Sequence, residues 1–237
     1  MDHFIDAPYQ TTAKIQDSSN CSDSGTNNIT VEWPGGELPS DPCTIQDAFG
    51  TMEFNNCLET NGLLMNGTMA FEYGGGLCQP TQMLLILSDF YIQNDDDSIE
   101  MPSLDMNFEN MIWSGGEPTS GHATLNGQMV VTQSSYESAM AFDSMVETFS
   151  YDNTYGRSTY EISGNITGPC LNGWVILNTI EPVVTQGQSD CPTTGELSFT
   201  GADGVTMNIT FASNGHVFLD DEDLGLCTDI NASCPIN

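Results

Sequence analysis

The sequence predicts an all-β protein in which antiparallel hairpin repeats form a β-sandwich or an open curved barrel, with at most one short helix. Three observations carry this. Val, Ile, Thr, Phe and Met alternate with polar residues in short runs, and Gly, Asn and Asp clusters separate the runs. That is the period-two pattern of half-buried strands. Asn-Gly occurs at Asn61, Asn66, Asn126, Asn172 and Asn214, and this dipeptide suits tight antiparallel turns because both residues tolerate positive φ. Eight cysteines occur with no CxxC pair, a pattern that favours disulfides over a zinc site.

Residues 1–40 are polar and weakly periodic, and read as an extended N-terminal arm. The arm either wraps its own body, pinned by Cys21, or adds a strand to a neighbouring subunit. Residues 41–237 read as a single disulfide-stapled all-β domain. Ser40-Asp41-Pro42 is placed to cap a short helix through Ile45, Gln46, Ala48 and Phe49. The longest apolar stretch, Met83-Leu84-Leu85-Ile86-Leu87, suits a buried strand.

Near the C-terminus, Leu197 and Phe199 lead to the turn Gly201-Ala202-Asp203-Gly204. Val205, Met207, Ile209 and Phe211 then alternate with Thr206, Asn208 and Thr210. Ser213-Asn214-Gly215 turns the chain again before Val217 and Leu219. This predicts a three-stranded meander with one apolar face and Asn208 on the solvent face.

An imperfect repeat runs through the middle. Phe54-Asn55-Asn56-Cys57 is echoed by Phe108-Glu109-Asn110-Met111 and by Phe142-Asp143-Ser144-Met145. Met65-Asn66-Gly67 is echoed by Leu125-Asn126-Gly127 and by Leu171-Asn172-Gly173. The spacing between the two motifs varies, so the unit reads as a hairpin with a variable loop rather than a fixed-period solenoid.

The cysteines are Cys21, Cys43, Cys57, Cys78, Cys170, Cys191, Cys227 and Cys234. Pairing of sequence neighbours is expected: Cys21–Cys43, Cys57–Cys78, Cys170–Cys191 and Cys227–Cys234. Disulfides imply an oxidising compartment. Met1-Asp2-His3 does not read as the start of a signal peptide, so the chain is expected to be a mature, exported one. Sequons fall at Asn20, Asn28, Asn66, Asn165, Asn208 and Asn231; an unmodified β-surface rich in Asn, Ser and Thr accounts for them equally well.

Only 2 Lys+Arg stand against 33 Asp+Glu, giving a formal net charge of −31. The charge arises from missing bases, since Lys14 and Arg157 are the only fixed cations. No basic patch exists to neutralise phosphates or anionic lipid, so nucleic-acid partners are excluded on this ground. No run of apolar residues is long enough for a transmembrane helix.

Little catalytic chemistry is legible. A triad needs a His held by an acid, but His3 lies in the arm and His122 and His216 lie at expected turns. GxSxG and phosphate-loop motifs are absent, and Gly74-Gly75-Gly76 reads as a hairpin tip. Trp33, Trp113 and Trp174 could supply sugar-stacking platforms or core. Asp95, Asp96 and Asp97, and Asp220, Asp221 and Asp223 around Glu222, form carboxylate clusters at strand ends. They are either solvated turns or calcium ligands. The case for calcium is that clusters in a chain with almost no bases lack an internal partner. No catalytic residue and no cofactor other than calcium is expected.

The Phe54-Asn55-Asn56-Cys57 strand and the Leu/Met-Asn-Gly motifs, with Cys191-Pro192-Thr193-Thr194-Gly195 and Thr200-Gly201-Ala202-Asp203-Gly204, resemble a group of uncharacterised β-rich exported proteins and lipoproteins of Gram-negative bacteria. The resemblance spans about residues 45–220 and implies export and an all-β fold. It implies no catalytic residues. Ser18-Ser19-Asn20-Cys21 departs from a lipidation site, lacking its small and apolar residues, which makes Cys21 a disulfide partner. The functional expectation is a structural subunit of an extracellular filament or cell-surface assembly, a homo-polymer joined by N-terminal strand addition. The alternatives are a monomeric glycan- or partner-binding module and a carbohydrate-active enzyme.

Overall fold

The structure, a computed structural model, describes residues 12–35, 37, 39–95, 97–133, 136–168, 171, 173–187 and 191–229. It contains fourteen strands: β1 (Thr12–Asn20), β2 (Ser24–Pro34), β3 (Phe49–Leu58), β4 (Leu64–Gly76), β5 (Gln79–Asn94), β6 (Asp97–Ser114), β7 (Glu117–Gln133), β8 (Tyr136–Asp152), β9 (Arg157–Thr167), β10 (Val175–Gln186), β11 (Thr194–Thr200), β12 (Thr206–Phe211), β13 (His216–Leu219) and β14 (Glu222–Leu226). They form one antiparallel sheet in sequence order, built of consecutive hairpins and not closed into a barrel. Residues 12–34, in the segment read as an arm, are the first hairpin of this sheet, with β1 paired to β2 along its whole length. Residues 1–11 lie outside the described residues.

The chain divides into two compact units: Met1–Pro118 with Gly127–Ala139, and Thr119–Asn126 with Met140–Asn237. In the first unit, the register aligns Ile15, Val31, Gly50, Phe71, Leu85 and Met106 in one cross-strand row. A second row on the same face runs Ile29, Met52, Met69, Leu87 and Leu104. Side chains alternate between faces, so the opposite face carries Lys14, Glu32, Phe49, Glu72, Leu84 and Asn107. Trp33, Ile45 and Ala48 form a buried cluster, with Val31, Tyr73 and Leu77 packed against it. Burying a side chain the size of Ile45 contributes about 1.5–3 kcal/mol.

The expected helix is a single 3-10 turn, Pro42–Thr44. Asp41 caps it as expected, accepting the Cys43 N–H at 3.0 Å. It stops there because the following backbone is claimed by the sheet. Asp47 N–H donates to Gly75, Tyr73 N–H to Ala48, and Leu77 N–H to Ile45. The i, i+3, i+4 spacing of Ile45, Ala48 and Phe49 therefore reflects a core contact followed by a strand, not a helical face.

In the second unit the C-terminal meander matches its expectation. Leu197 pairs with Ile209, Phe199 with Met207, and Phe211 with Val217. Asn208 departs from it: its side-chain oxygen is buried rather than solvated, and its N–H donates to Asp220 Oδ1 at 2.8 Å.

The repeat has a different meaning from the one expected. Asn61-Gly62 and Asn214-Gly215 do lie in turns. Asn66-Gly67 and Asn126-Gly127 lie inside β4 and β7. Their partners are bulges in neighbouring strands. The third residue of each Phe-containing motif has a left-handed backbone: Asn56 at φ 48, Asn110 at 54 and Ser144 at 52. The N–H of Asn56 donates to Asn66 Oδ1 at 2.6 Å, and that of Ser144 to Asn126 Oδ1 at 2.7 Å. The asparagine thus satisfies a donor that the bulge removes from the ladder. The glycine after it answers a second constraint. A Cβ on Gly67 would lie 2.3 Å from the Asp89 carbonyl oxygen, and one on Gly127 2.0 Å from that of Ser103. Phe54, paired with Gly67, meets Phe90 edge-on at 5.7 Å, so the two rings cover the strand where it has no side chain.

Candidate functional site

The cysteines staple strand ends. Cys21–Cys57, Cys43–Cys78 and Cys191–Cys227 are bonded, with Cα separations of 5.3, 4.9 and 5.9 Å. This corrects the neighbour pairing. Cys21 and Cys43 flank opposite ends of β2, and Cys57 and Cys78 are separated by the length of β4. Antiparallel pairing instead brings the β1–β2 turn beside the end of β3, where Asp23 N–H donates to Leu58 at 3.0 Å. Each bridge closes a loop of 35 or 36 residues, worth about 4 kcal/mol by loop entropy. Cys170 and Cys234 lie outside the described residues. The three disulfides imply an oxidising environment.

The two acidic clusters lie in separate hairpin turns. Asp95, at φ 52, sits in the β5–β6 turn, and Asp96 is outside the described residues. Asp97 opens β6 opposite Asn94. Asp220 and Asp221, at φ 46 and 71, are the two central residues of the β13–β14 turn. Positive φ at both positions is a type I′ turn, which Asp tolerates. Asp223 receives His216 Nδ1 at 2.9 Å and the Gly225 N–H at 2.9 Å. The His216 hydrogen bond, then that of Gly225, hold its carboxyl below the usual carboxylate range. Asp220 and Asp223 therefore have the internal partners whose lack was the argument for calcium. Among the described residues, the one group of three donor side chains within 4.8 Å is Cys21, Cys57 and Glu59. Both of its sulfurs are already bonded to each other.

His216 and Asp223 form two members of a triad, but no hydroxyl or thiol is hydrogen-bonded to that histidine among the described residues. His122 bonds Thr148 Oγ1 at 2.9 Å, and His3 is outside the described residues. The tryptophans have separate roles. Trp33 is buried, Trp113 donates to the Pro80 carbonyl at 2.7 Å, and Trp174 is exposed. Of the sequons, Asn20 is exposed beside Cys21, and Asn28 is half-buried between Ser18 and Glu53. Asn66 is committed to the bulge. Asn165 donates to Asp143 at 3.3 Å. Asn208 is described above, and Asn231 is outside the described residues.

Two of the concave surfaces among the described residues bear on function, and neither was legible beforehand. The first unit carries a cleft of about 370 Å³ on its polar face, lined by Lys14, Glu32, Glu72, Thr30, Leu84 and Ile86. Lys14 Nζ lies 3.3 Å from Glu32 Oε1, a half-exposed pair worth under about 1 kcal/mol. The second unit carries an apolar groove of about 580 Å³, lined by Leu171, Val175, Phe199, Val205, Met207 and Ile209. Val205 is 59% exposed and Met207 46%. The only sequence signal for it was the alternation that placed these residues on one face.

Among the described residues the sheet ends at two edge strands, since there β1 pairs only with β2 and β14 only with β13. They are unlike. β1 has nine residues with one Lys and one Asp, while β14 has five, with Glu222 and Asp223, and an irregular register to β13. Short, charged, bulged edges resist pairing, whereas long uncharged ones invite it. No helix among the described residues is long and apolar enough to cross a membrane. No family model, curated protein or solved structure matches the chain.

Proposed function

We propose that the protein is a non-catalytic structural subunit of an extracellular or cell-surface assembly, joined to further copies by backbone strand addition. The observation that carries this reading is the unclosed sheet with a long, sparsely charged edge at β1. Main-chain pairing does not depend on complementary side-chain charge, which matters for subunits of formal net charge −31. Residues 12–20 already pair within their own chain. The donor in this reading is therefore the preceding segment 1–11, which carries Phe4, Ile5 and Tyr9. Pairing of one subunit's donor with another's open edge is head-to-tail and propagates. The resemblance to exported β-rich proteins and the disulfides support the location.

A second reading, a monomeric glycan- or partner-binding module, is favoured by the exposed Trp174 and the cleft at Lys14, Glu32 and Glu72. Light scattering separates the two. Full-length protein is expected to form a concentration-dependent series of oligomers that is lost in a 12–237 variant and weakened by Ile15→Lys on β1. Full-length protein that stays monomeric at all concentrations overturns the assembly reading and leaves the binding module.

A further inference from the structure

We propose that the apolar groove of the second unit binds a small apolar cation, an amphiphile whose hydrocarbon body lies along β11 and β12 and whose ammonium group meets the Asp203 carboxylate. This site does not depend on how subunits join.

The groove originates in a missing side chain. β10 and β11 pair Leu177 with Phe199 and Ile176 with Thr200, so one residue further on Val175 comes opposite Gly201. Gly201 N–H donates in turn to the Val205 carbonyl at 2.9 Å. The cross-strand row Val175, Gly201, Val205 therefore has a trough at its centre, because only the outer two carry a side chain. Phe199 and Met207, paired in the next row, extend the trough along the strands. Its volume of about 580 Å³ falls in the range that takes a drug-sized ligand. Val205 and Met207 are both exposed, and a methionine adapts its shape to irregular apolar ligands.

The head group follows from charge. Among the described residues, Asp203 is the one charged side chain lining the groove. Its carboxylate folds over Gly201: Oδ1 accepts the Val205 N–H at 3.1 Å, and a Cβ on Gly201 would lie 2.9 Å from that oxygen. The negative charge thus sits at the turn that ends the trough. No fixed cation is placed to receive an anionic head. Arg157 is the only Lys or Arg of the second unit. It lies at the far end of β9 from Ile166, the partner of Val175, about 30 Å away along the strand. A carboxylate or phosphate head would meet repulsion there, and a second copy of this chain would bring a second Asp203 to the same place. An ammonium meets an attractive field over the whole acidic surface; the apolar body is what directs it to this groove.

Titration calorimetry of full-length protein tests the site with three probes that share one tail: decyltrimethylammonium, decyl maltoside and decyl sulfate, each below its micelle-forming concentration. One saturable site is expected for decyltrimethylammonium, with several-fold weaker binding of the maltoside and the weakest binding of the sulfate. Asp203→Asn keeps an oxygen for the Val205 N–H. It is expected to weaken decyltrimethylammonium by up to about fivefold, the worth of one exposed ion pair, and to leave decyl maltoside unchanged. Val205→Asp with Met207→Asp separates the groove from general attraction to an acidic protein. It adds two negative charges, yet is expected to abolish the site. Leu224→Asp, on an exposed residue outside the groove, is expected to bind as the unaltered protein does. The proposal is overturned by the lack of a saturable site, by undiminished binding in the Val205→Asp, Met207→Asp variant, or by decyl sulfate binding as tightly as the ammonium.

Discussion

Replacing Gly67 by alanine tests the central structural device, an asparagine–glycine pair set between two bulged strands. The new Cβ would fall 2.3 Å from the Asp89 carbonyl oxygen and 2.6 Å from Phe90 Cα. Those are backbone atoms, so no side chain can rotate away. The residue also sits at φ +102, and holding a non-glycine residue there costs on the order of 1–3 kcal/mol. Relieving the contact moves β4 from β5 and weakens about two ladder hydrogen bonds at roughly 0.5–1.5 kcal/mol each. The sum is about 2–6 kcal/mol, centred near ~4 kcal/mol. Gly204→Ala is the control: φ is +78, and nothing lies within 4 Å of its new Cβ, so only the strain of about 1 kcal/mol applies. Urea denaturation of oxidised protein reads the difference. Gly67→Ala is expected to lose at least ~2 kcal/mol more than Gly204→Ala, about 4–8 °C in Tm at ~2–4 °C per kcal/mol. Equal losses would refute the role given to the glycine.

Four further expectations follow from the same structure. Asp220→Asn with Asp221→Gly supplies the preferred type I′ pair and removes two charges, so thermal melts should show a gain of about 1 kcal/mol; a loss would indicate that the carboxylates bind something. Burial raises the pKa of Glu147 above its ordinary 4.5, so its ionisation opposes folding, and Glu147→Gln should stabilise at pH 7 with a benefit that fades as pH falls below the folded value. Asp223 has the opposite sign: its lowered folded pKa lends stability above its unfolded value that is lost as pH falls through the folded one, and His216→Phe should flatten that part of the pH profile. With a formal net charge of −31, sodium chloride should raise Tm by screening. Calcium at matched ionic strength should add nothing further, and a saturable calcium shift would restore the metal reading.

Strand content was legible because alternation is a local property. The meander through Val205, Met207, Ile209 and Phe211 was readable residue by residue. The Phe-x-x and Asn-Gly repeats were visible too, yet their meaning depended on the neighbouring strand. A positive-φ Asn-Gly fits a turn and fits a position facing a bulge equally well, and only the approach of the Asp89 or Ser103 carbonyl decides. Disulfide partners failed for a related reason. Spacing along the chain does not say that β2 carries Cys21 and Cys43 to opposite ends. The acidic turns seemed to lack partners because cross-strand contacts such as His216 with Asp223 join residues on different strands. The groove was hidden because alternation marks a face as apolar without saying what covers it.

Electron microscopy of purified full-length protein beside the 12–237 variant tests strand addition most directly. Regular filaments or chains are expected from the full-length protein and dispersed single particles from the variant. Single particles from both would contradict the assembly, and filaments from both would contradict the donor segment.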